Sequence, residues 1–324
     1  MHATISGRTL LAIYAVIPLG LLLILIDKFV LDGALLHSLP LLQTATPSPA
    51  QYLWFAVLFP LPHIFMSFVS FLDKDYLIYY RAKLLWGIPI IAAIAFVLSS
   101  YFFTLAVITL AITTIVHTAF QQAGIALMLM RMPFTLLARC WKYMTGILGI
   151  LSTAIVFPLP LPSAITGNMI VKTTEVALAL FLCLTLYIII TKRREASTIS
   201  FAYFIGTAFV PFLSLLAIGL HYAFIAILVP RLIHDLTAFY FYLTHERGRN
   251  GERPRNAVAQ LFSLPINTYL ALLTFTMILL SYFFVRSAQS TIFTLYFIST
   301  LHYYVEAFMW KKGTPHRAAI AFSI

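Results

Sequence analysis

The sequence predicts an all-α fold: a polytopic integral membrane bundle of about ten transmembrane helices with both termini in the cytoplasm. Three observations predict it. Of the 324 residues, 61% are hydrophobic and only 10% are charged, whereas a soluble domain carries roughly 25% charged residues. The mean hydropathy is +0.95. The 28 Phe and 17 Tyr suit a surface that meets lipid tails and the aromatic belts at the membrane interfaces. No soluble domain, low-complexity segment or internal repeat stands apart, so residues 1–324 read as a single transmembrane domain.

Apolar runs of spanning length fall at about 9–27, 51–72, 84–98, 102–130, 139–157, 170–191, 199–218, 221–244, 257–285 and 289–310. The first, from Leu10 to Ile26, is longer than a signal-peptide core. Asp27-Lys28 follows it without a small-residue cleavage pattern, so it is expected to stay as a helix. The stretch from Asp27 to Gln51, with Pro40, Pro47 and Pro49, reads as the longest outer connection, and Pro158 to Pro162 as a second outer turn. Pro60 and Pro62 should distort the second helix and free backbone carbonyls beside His63. Cys140 and Cys183 form neither a disulfide framework nor a CxxC motif and read as small apolar residues.

Orientation follows from the basic residues. With the N-terminus inside, the inner side holds Arg8; Lys74, Arg81 and Lys83; Arg131, Arg139 and Lys142; Lys192, Arg193 and Arg194; Arg247, Arg249, Arg253 and Arg255; and Lys311, Lys312 and Arg317. That is seventeen of the 21 Lys and Arg; Lys28, Lys172 and Arg286 fall outside, and Arg231 lies within a span. So strong a bias fixes orientation and parity. The net charge of +11 is then a topology signal, with membrane lipid as a partner and no nucleic acid implied. The location that fits is a bacterial inner membrane.

Four histidines, His63, His117, His234 and His302, each sit in a different apolar stretch, and all four stretches run from outside to inside. His63, His234 and His302 fall ~14–17 Å from the inner ends of their helices, and His117 ~21 Å. Asn267, on a helix of opposite direction, should reach the same layer. An intramembrane imidazole is costly without a partner and marks a functional site. Four at similar depth point to a shared centre, so these four are the candidate metal ligands.

Neighbours on the same helix faces extend the set. Glu306 stands four residues after His302, Gln121 four after His117, and Asp235 four after Arg231. Glu306, Asp235 and Tyr304 are therefore the candidate catalytic residues, with Asp235 either paired to Arg231 or supporting a ligating imidazole. The ordinary alternative is a helix-to-helix hydrogen bond, which explains any single intramembrane histidine but explains four less well. His221 reads as interfacial. His245 and Glu246 read as part of a solvated loop, His316 as tail, and Asp73 and Asp75 as a solvated cap near Arg81 and Lys83. Tyr303 and Trp310 read as interface aromatics, and His2 and His37 carry no assignment.

Phosphate loops, GxSxG elbows, HExxH zinc motifs, aspartate-rich diphosphate motifs and the clustered histidine boxes of membrane desaturases are all missing from the sequence. Imidazoles with a carboxylate suit a transition metal, iron first and zinc as the alternative, because no thiolate draws the site toward soft metals. A centre in the apolar layer favours a lipophilic small-molecule substrate that enters from the lipid. The leading expectation is a membrane-embedded, non-haem iron oxygenase or oxidase of lipid metabolism; zinc would instead make it an intramembrane lipid hydrolase. Two other classes compete: a proton-coupled transporter built on His234, Asp235, Glu306 and Arg231, and a haem protein with two axial histidines.

Overall fold

The computed structural model describes residues 3–33, 57–156, 167–251, 254–262, 264–287 and 292–323. Its elements are β1 (Ala3–Ser6), α1 (Gly7–Ile13), α2 (Val16–Phe29), α3 (Pro60–Val69), α4 (Lys74–Tyr101), α5 (Phe103–Leu129) and α6 (Leu136–Val156). There follow α7 (Gly167–Lys192), α8 (Thr198–Gly219), α9 (Ala223–Asn250), α10 (Ala257–Phe262), α11 (Ile266–Ser287), α12 (Ile292–Met309), α13 (Pro315–Ala318) and β2 (Ile320–Ser323). The outer connection around Pro40, Pro47 and Pro49, the turn from Pro158 to Pro162, His2, His37 and Arg253 lie outside the described residues.

Each predicted stretch holds a helix, and seven helical segments are long and apolar enough to cross a membrane: Gly7–Phe29, α4, α5, α7, α8, α9 and Ile266–Val285 of α11. Apart from the short pair β1 and β2, the described residues are helical, with the long apolar helices of a membrane protein. The other three helices fall short for visible reasons. α3 with its following turn is only Pro60–Leu72, α6 opens on Arg139 and Lys142, and α12 contains His302 and Glu306. Large apolar side chains such as Trp86 (74% exposed) and Ile190 (78%) face outward, as lipid contact requires.

One local expectation is met and another is corrected. Pro60 and Pro62 interrupt the second helix as expected: Val57 and Leu58 are helical, Phe59 leaves helical geometry at φ −120° and ψ −72°, and α3 restarts at Pro60 with the Phe59 carbonyl oxygen 3.4 Å from His63 Nδ1. Proline is at home in a first turn, whose N–H groups have no partner within the helix. The predicted run 257–285 is two helices, α10 and α11, parted before Pro265. Asn267 is therefore in the first turn of α11, where it is exposed rather than facing a buried polar layer.

The chain forms two compact units, Met1–Ile5 with Leu53–Thr113 and Asp235–Ser323, and Ser6–Tyr52 with Thr114–His234. In the first, α3 packs on α11 and α12, α12 packs on α4, and β1 pairs with β2. Its core includes Met66, Tyr76, Tyr80, Tyr242, Tyr269, Met277, Phe308 and Met309. A close approach of α4 and α12 depends on Gly87, where a Cβ would overlap the Tyr304 ring. Gly87→Ala is expected to cost about 1–3 kcal/mol by forcing that ring aside, read as a lowered melting temperature in detergent.

In the second unit, α6 packs on α7 and α8, and α1 and α2 pack on α8. Trp141 is fully buried, stacked on Phe204 at 4.7 Å and on Phe181 at 5.7 Å between ring centroids. Its indole N–H donates to the Thr185 hydroxyl at 2.9 Å. Asp27 is not at a solvated helix end: it is buried and accepts the Tyr222 hydroxyl at 2.9 Å.

Candidate metal centre

The first unit brings His63, Asp235, His302 and Glu306 together, all at most 6% exposed. α3 supplies His63 and, one turn on, Ser67. α12 supplies His302 and Glu306 at the same spacing, and α9 supplies Asp235 and Tyr242, two turns apart. Each pair shares one face of its helix, as spacings of four and seven residues require.

Hydrogen bonds fix which ring nitrogen of each histidine carries the proton. His63 Nδ1 lies 3.2 Å from Asp235 Oδ1 and 3.4 Å from the Phe59 carbonyl oxygen. The Phe59 carbonyl has no proton to give, so Nδ1–H donates to it and Nε2 carries the lone pair, while Asp235 Oδ1 stands at ion-pair distance from the same nitrogen. For His302 the argument passes through Ser67. The Ser67 hydroxyl donates to the Ile64 carbonyl at 2.6 Å, so its oxygen accepts from His302 Nδ1–H at 3.1 Å. His302 Nε2 then presents its lone pair toward Glu306 Oε2 at 3.8 Å. The other carboxylate oxygen, Oε1, accepts a short hydrogen bond from the Tyr242 hydroxyl.

A lone pair and an anionic oxygen that face each other in an apolar layer repel unless something positive lies between them. A shared proton or a metal ion meets that need. Two ligands each ~2.1 Å from one ion stand at most ~4.2 Å apart, so the 3.8 Å spacing fits. The nitrogens of His63 and His302 available for ligation lie within 4.8 Å of one another, and the two rings meet edge to face at 4.9 Å.

The other two predicted ligands belong to the second unit, where the rings of His117 and His234 meet edge to face at 5.1 Å. His234 is buried and His117 half-buried. Tyr304 faces away from His302: it is half-buried, and its hydroxyl donates to the Lys83 carbonyl at 3.0 Å. Sequence reasoning missed Ser67 and Tyr242. A small hydroxyl residue one turn from His63, and a tyrosine two turns from Asp235, were the available signals.

A second polar layer was missed more completely. His245, Glu246 and His316, expected in solvated loop and tail, are all buried. The His316 ring stacks on Tyr76 at 3.8 Å and on His245 at 4.9 Å. The Tyr76 hydroxyl meets His245 Nε2 at 2.9 Å, and the Arg249 guanidinium covers the outer face of Tyr76 at 4.4 Å. Glu246 accepts from Asn250 at 2.9 Å and from Tyr269 at 3.2 Å. Asp73 is also buried and is paired with Arg249, while Asp75 is exposed as expected.

Burial pushes the His316 imidazole down from 6.5 to about 2, with His245 and Arg249 nearby adding to the effect. Below about pH 6.5 the unfolded chain takes up a proton that the folded chain excludes, so stability falls as pH drops. At about pH 5.5 the loss should reach roughly 1 kcal/mol. Melting temperatures at that pH and at neutrality test this, and His316→Leu should remove that part of the difference.

No known family model, no characterised protein and no solved structure matches the chain.

Proposed function

We propose that the protein is a membrane-embedded oxygenase or oxidase that uses non-haem iron and acts on a lipophilic substrate. Its termini face the cytoplasm of a bacterial inner membrane, an orientation that rests on the basic residues. His63, His302 and Glu306 would hold the metal. The observation that carries the reading is the pair of fixed imidazoles, both protonated on Nδ1 and both offering Nε2, beside a carboxylate 3.8 Å from one of them. Ligating histidines are typically held in this way by a carboxylate, carbonyl or hydroxyl on the far nitrogen.

Two imidazoles and one carboxylate form the donor set that suits non-haem iron with positions left open, and iron supplies oxygen activation there. Asp235 orients His63, Ser67 orients His302, and Tyr242 holds the second oxygen of Glu306. The surrounding core of Met66, Leu273 and Met277 keeps bulk water away and favours an apolar substrate.

Elemental analysis of the protein purified in detergent tests the reading, with about one iron per chain expected. Zinc at the same stoichiometry would turn the same residues to hydrolysis of a lipid ester or amide. Absence of any transition metal after metal-replete growth would remove the proposal. The sequence also nominates His117 and His234 as ligands, and their Ala variants test that by the same measurement.

A further inference from the structure

We infer that the second unit binds an uncharged, one-ring carbonyl compound, an aromatic ketone or a quinone, in a cavity of about 150 Å³ formed by α5, α6, α8 and α9. A cavity of that size holds one benzene-sized ring. Most of its wall is apolar, with Ile115, Val210, Pro211 and Ile233 among the side chains that face it.

Three hydrogen-bond donors in the wall set the need for an acceptor. A Thr or Ser hydroxyl within a helix commonly donates to a carbonyl one turn back. Thr145, Thr153 and Thr207 of this wall do so, at 2.7, 2.9 and 3.0 Å. The hydroxyls of Thr118 and Ser152 do not, and they have no partner among the described residues. Gln122 stands four residues after Thr118, on the same face of α5. Its side-chain oxygen accepts the Tyr203 hydroxyl at 2.8 Å and the Tyr14 hydroxyl at 3.1 Å. Its NH2 is left with no acceptor among the described residues. Thr118, Gln122 and Ser152 all line the cavity and are at most 9% exposed. Each such donor is costly while unmet. A carbonyl oxygen accepts and never donates, so it complements all three.

The same wall selects against charge. No Asp or Glu among the described residues lines the cavity, so an amine would find no counter-ion there. Arg231 reaches the wall but already has an interaction of its own, so it does not stand ready for an acid. An ion brought in unpaired costs far more than a neutral carbonyl. The site lies wholly within the second unit and stands whether or not the first unit holds a metal.

The test is titration of the full chain in nanodiscs, against empty nanodiscs, with four probes of similar size. Acetophenone and methyl-para-benzoquinone carry one and two carbonyls, cumene carries no acceptor, and benzoate carries a charge. Quinones add to free thiols such as Cys140 and Cys183, so that arm uses the Cys140→Ala/Cys183→Ala protein. A carbonyl probe should raise the melting temperature and bind about tenfold tighter than cumene or benzoate, the scale of one hydrogen bond to a buried donor. The tighter of the two carbonyl probes identifies ketone or quinone as the ligand type. Thr118→Val and Ser152→Ala each remove a hydroxyl that meets nothing in the wall. Each should therefore leave the ligand-free melting temperature unchanged or raised, while weakening carbonyl binding about tenfold. Ser152→Leu, which fills the space, should abolish binding. No binding by either carbonyl probe, equal binding by cumene or benzoate, or undiminished binding in the folded Thr118→Val and Ser152→Ala variants would overturn the inference.

Discussion

His302→Ala protein is expected to leave the membrane folded and to carry no metal. His302 faces both Ser67 and Glu306, so its loss removes a ligand and breaks the link from α3 to α12 at one stroke. Because an Ala at a buried site can also cost stability, the decisive comparison is with variants that leave every ligand in place. Ser67→Ala removes only the hydroxyl that holds the His302 ring, and Asp235→Asn only the charge beside His63. Changes in such supporting groups typically lower metal affinity ~10–100-fold. Graded metal loss on dialysis against a chelator, with unchanged melting of the metal-free forms, would carry the ligand assignment. If Ser67→Ala and Asp235→Asn kept metal as tightly as the unmodified protein, the fixed-tautomer argument would fail. Glu306→Gln should match His302→Ala if the carboxylate ligates.

Asp73→Ala should be the most damaging change to folding outside the core. Asp73 caps α4 by accepting the Asp75 amide at 3.0 Å. It also receives Arg249 Nε at 2.9 Å and a second, shorter contact from the same guanidinium. Its backbone bridges to Asn256. The Asp73 carboxylate thus ties the start of α4 to the end of α9, while its backbone meets the segment before α10. With the Asp73 side chain 5% exposed and Arg249 17%, removing the acid leaves a largely buried cation with only the exposed Asp75 carboxylate, at 3.2 Å, as its anionic partner among the described residues. Such breaks cost about 3–5 kcal/mol, and the lost cap adds about 1 kcal/mol. Little folded protein should accumulate. Asp75→Ala is the control, since Asp75 is 63% exposed and its contacts with Arg249 and Arg255 are surface ion pairs, worth at most about 1 kcal/mol. Similar yields from the two variants would show that the buried pair is not what holds these segments.

The seven long apolar helices were legible because lipid contact writes long apolar runs into a chain. His63, His302, Glu306 and Asp235 were legible because each is a polar exception within such a run. What could not be read was which exceptions meet. His302 reaches Ser67 across 235 positions of sequence, and His245 reaches Tyr76 across 169. Periodicity along one helix does not reveal partners on another. The run from His245 to Arg255 misled for a different reason. It is dense in charge and glycine, which usually means solvent, yet Tyr76, Tyr269, Asn250 and Asn256 satisfy Glu246 and His245 from the sides. Likewise, His316 lies beyond the last apolar run, so its burial under Tyr76 and Tyr80 depends on a fold-back that hydropathy does not encode.

The length of α9 keeps these two polar layers well apart. Its 28 residues extend ~42 Å, against a hydrocarbon thickness of ~30 Å. Asp235 and His245 are ten residues apart on it, so ~15 Å of helix separates the His63 pair from the His245–His316 stack. Both layers are dry, for His63, His245 and His316 are all 0% exposed. The same side chain, imidazole, is then governed by two different chemistries along one helix. The deeper pair answers to whatever cation can be stripped of water and brought in. The outer stack answers to the aromatic rings of Tyr76 and Trp310 that enclose it, and α9 holds those two demands ~15 Å apart.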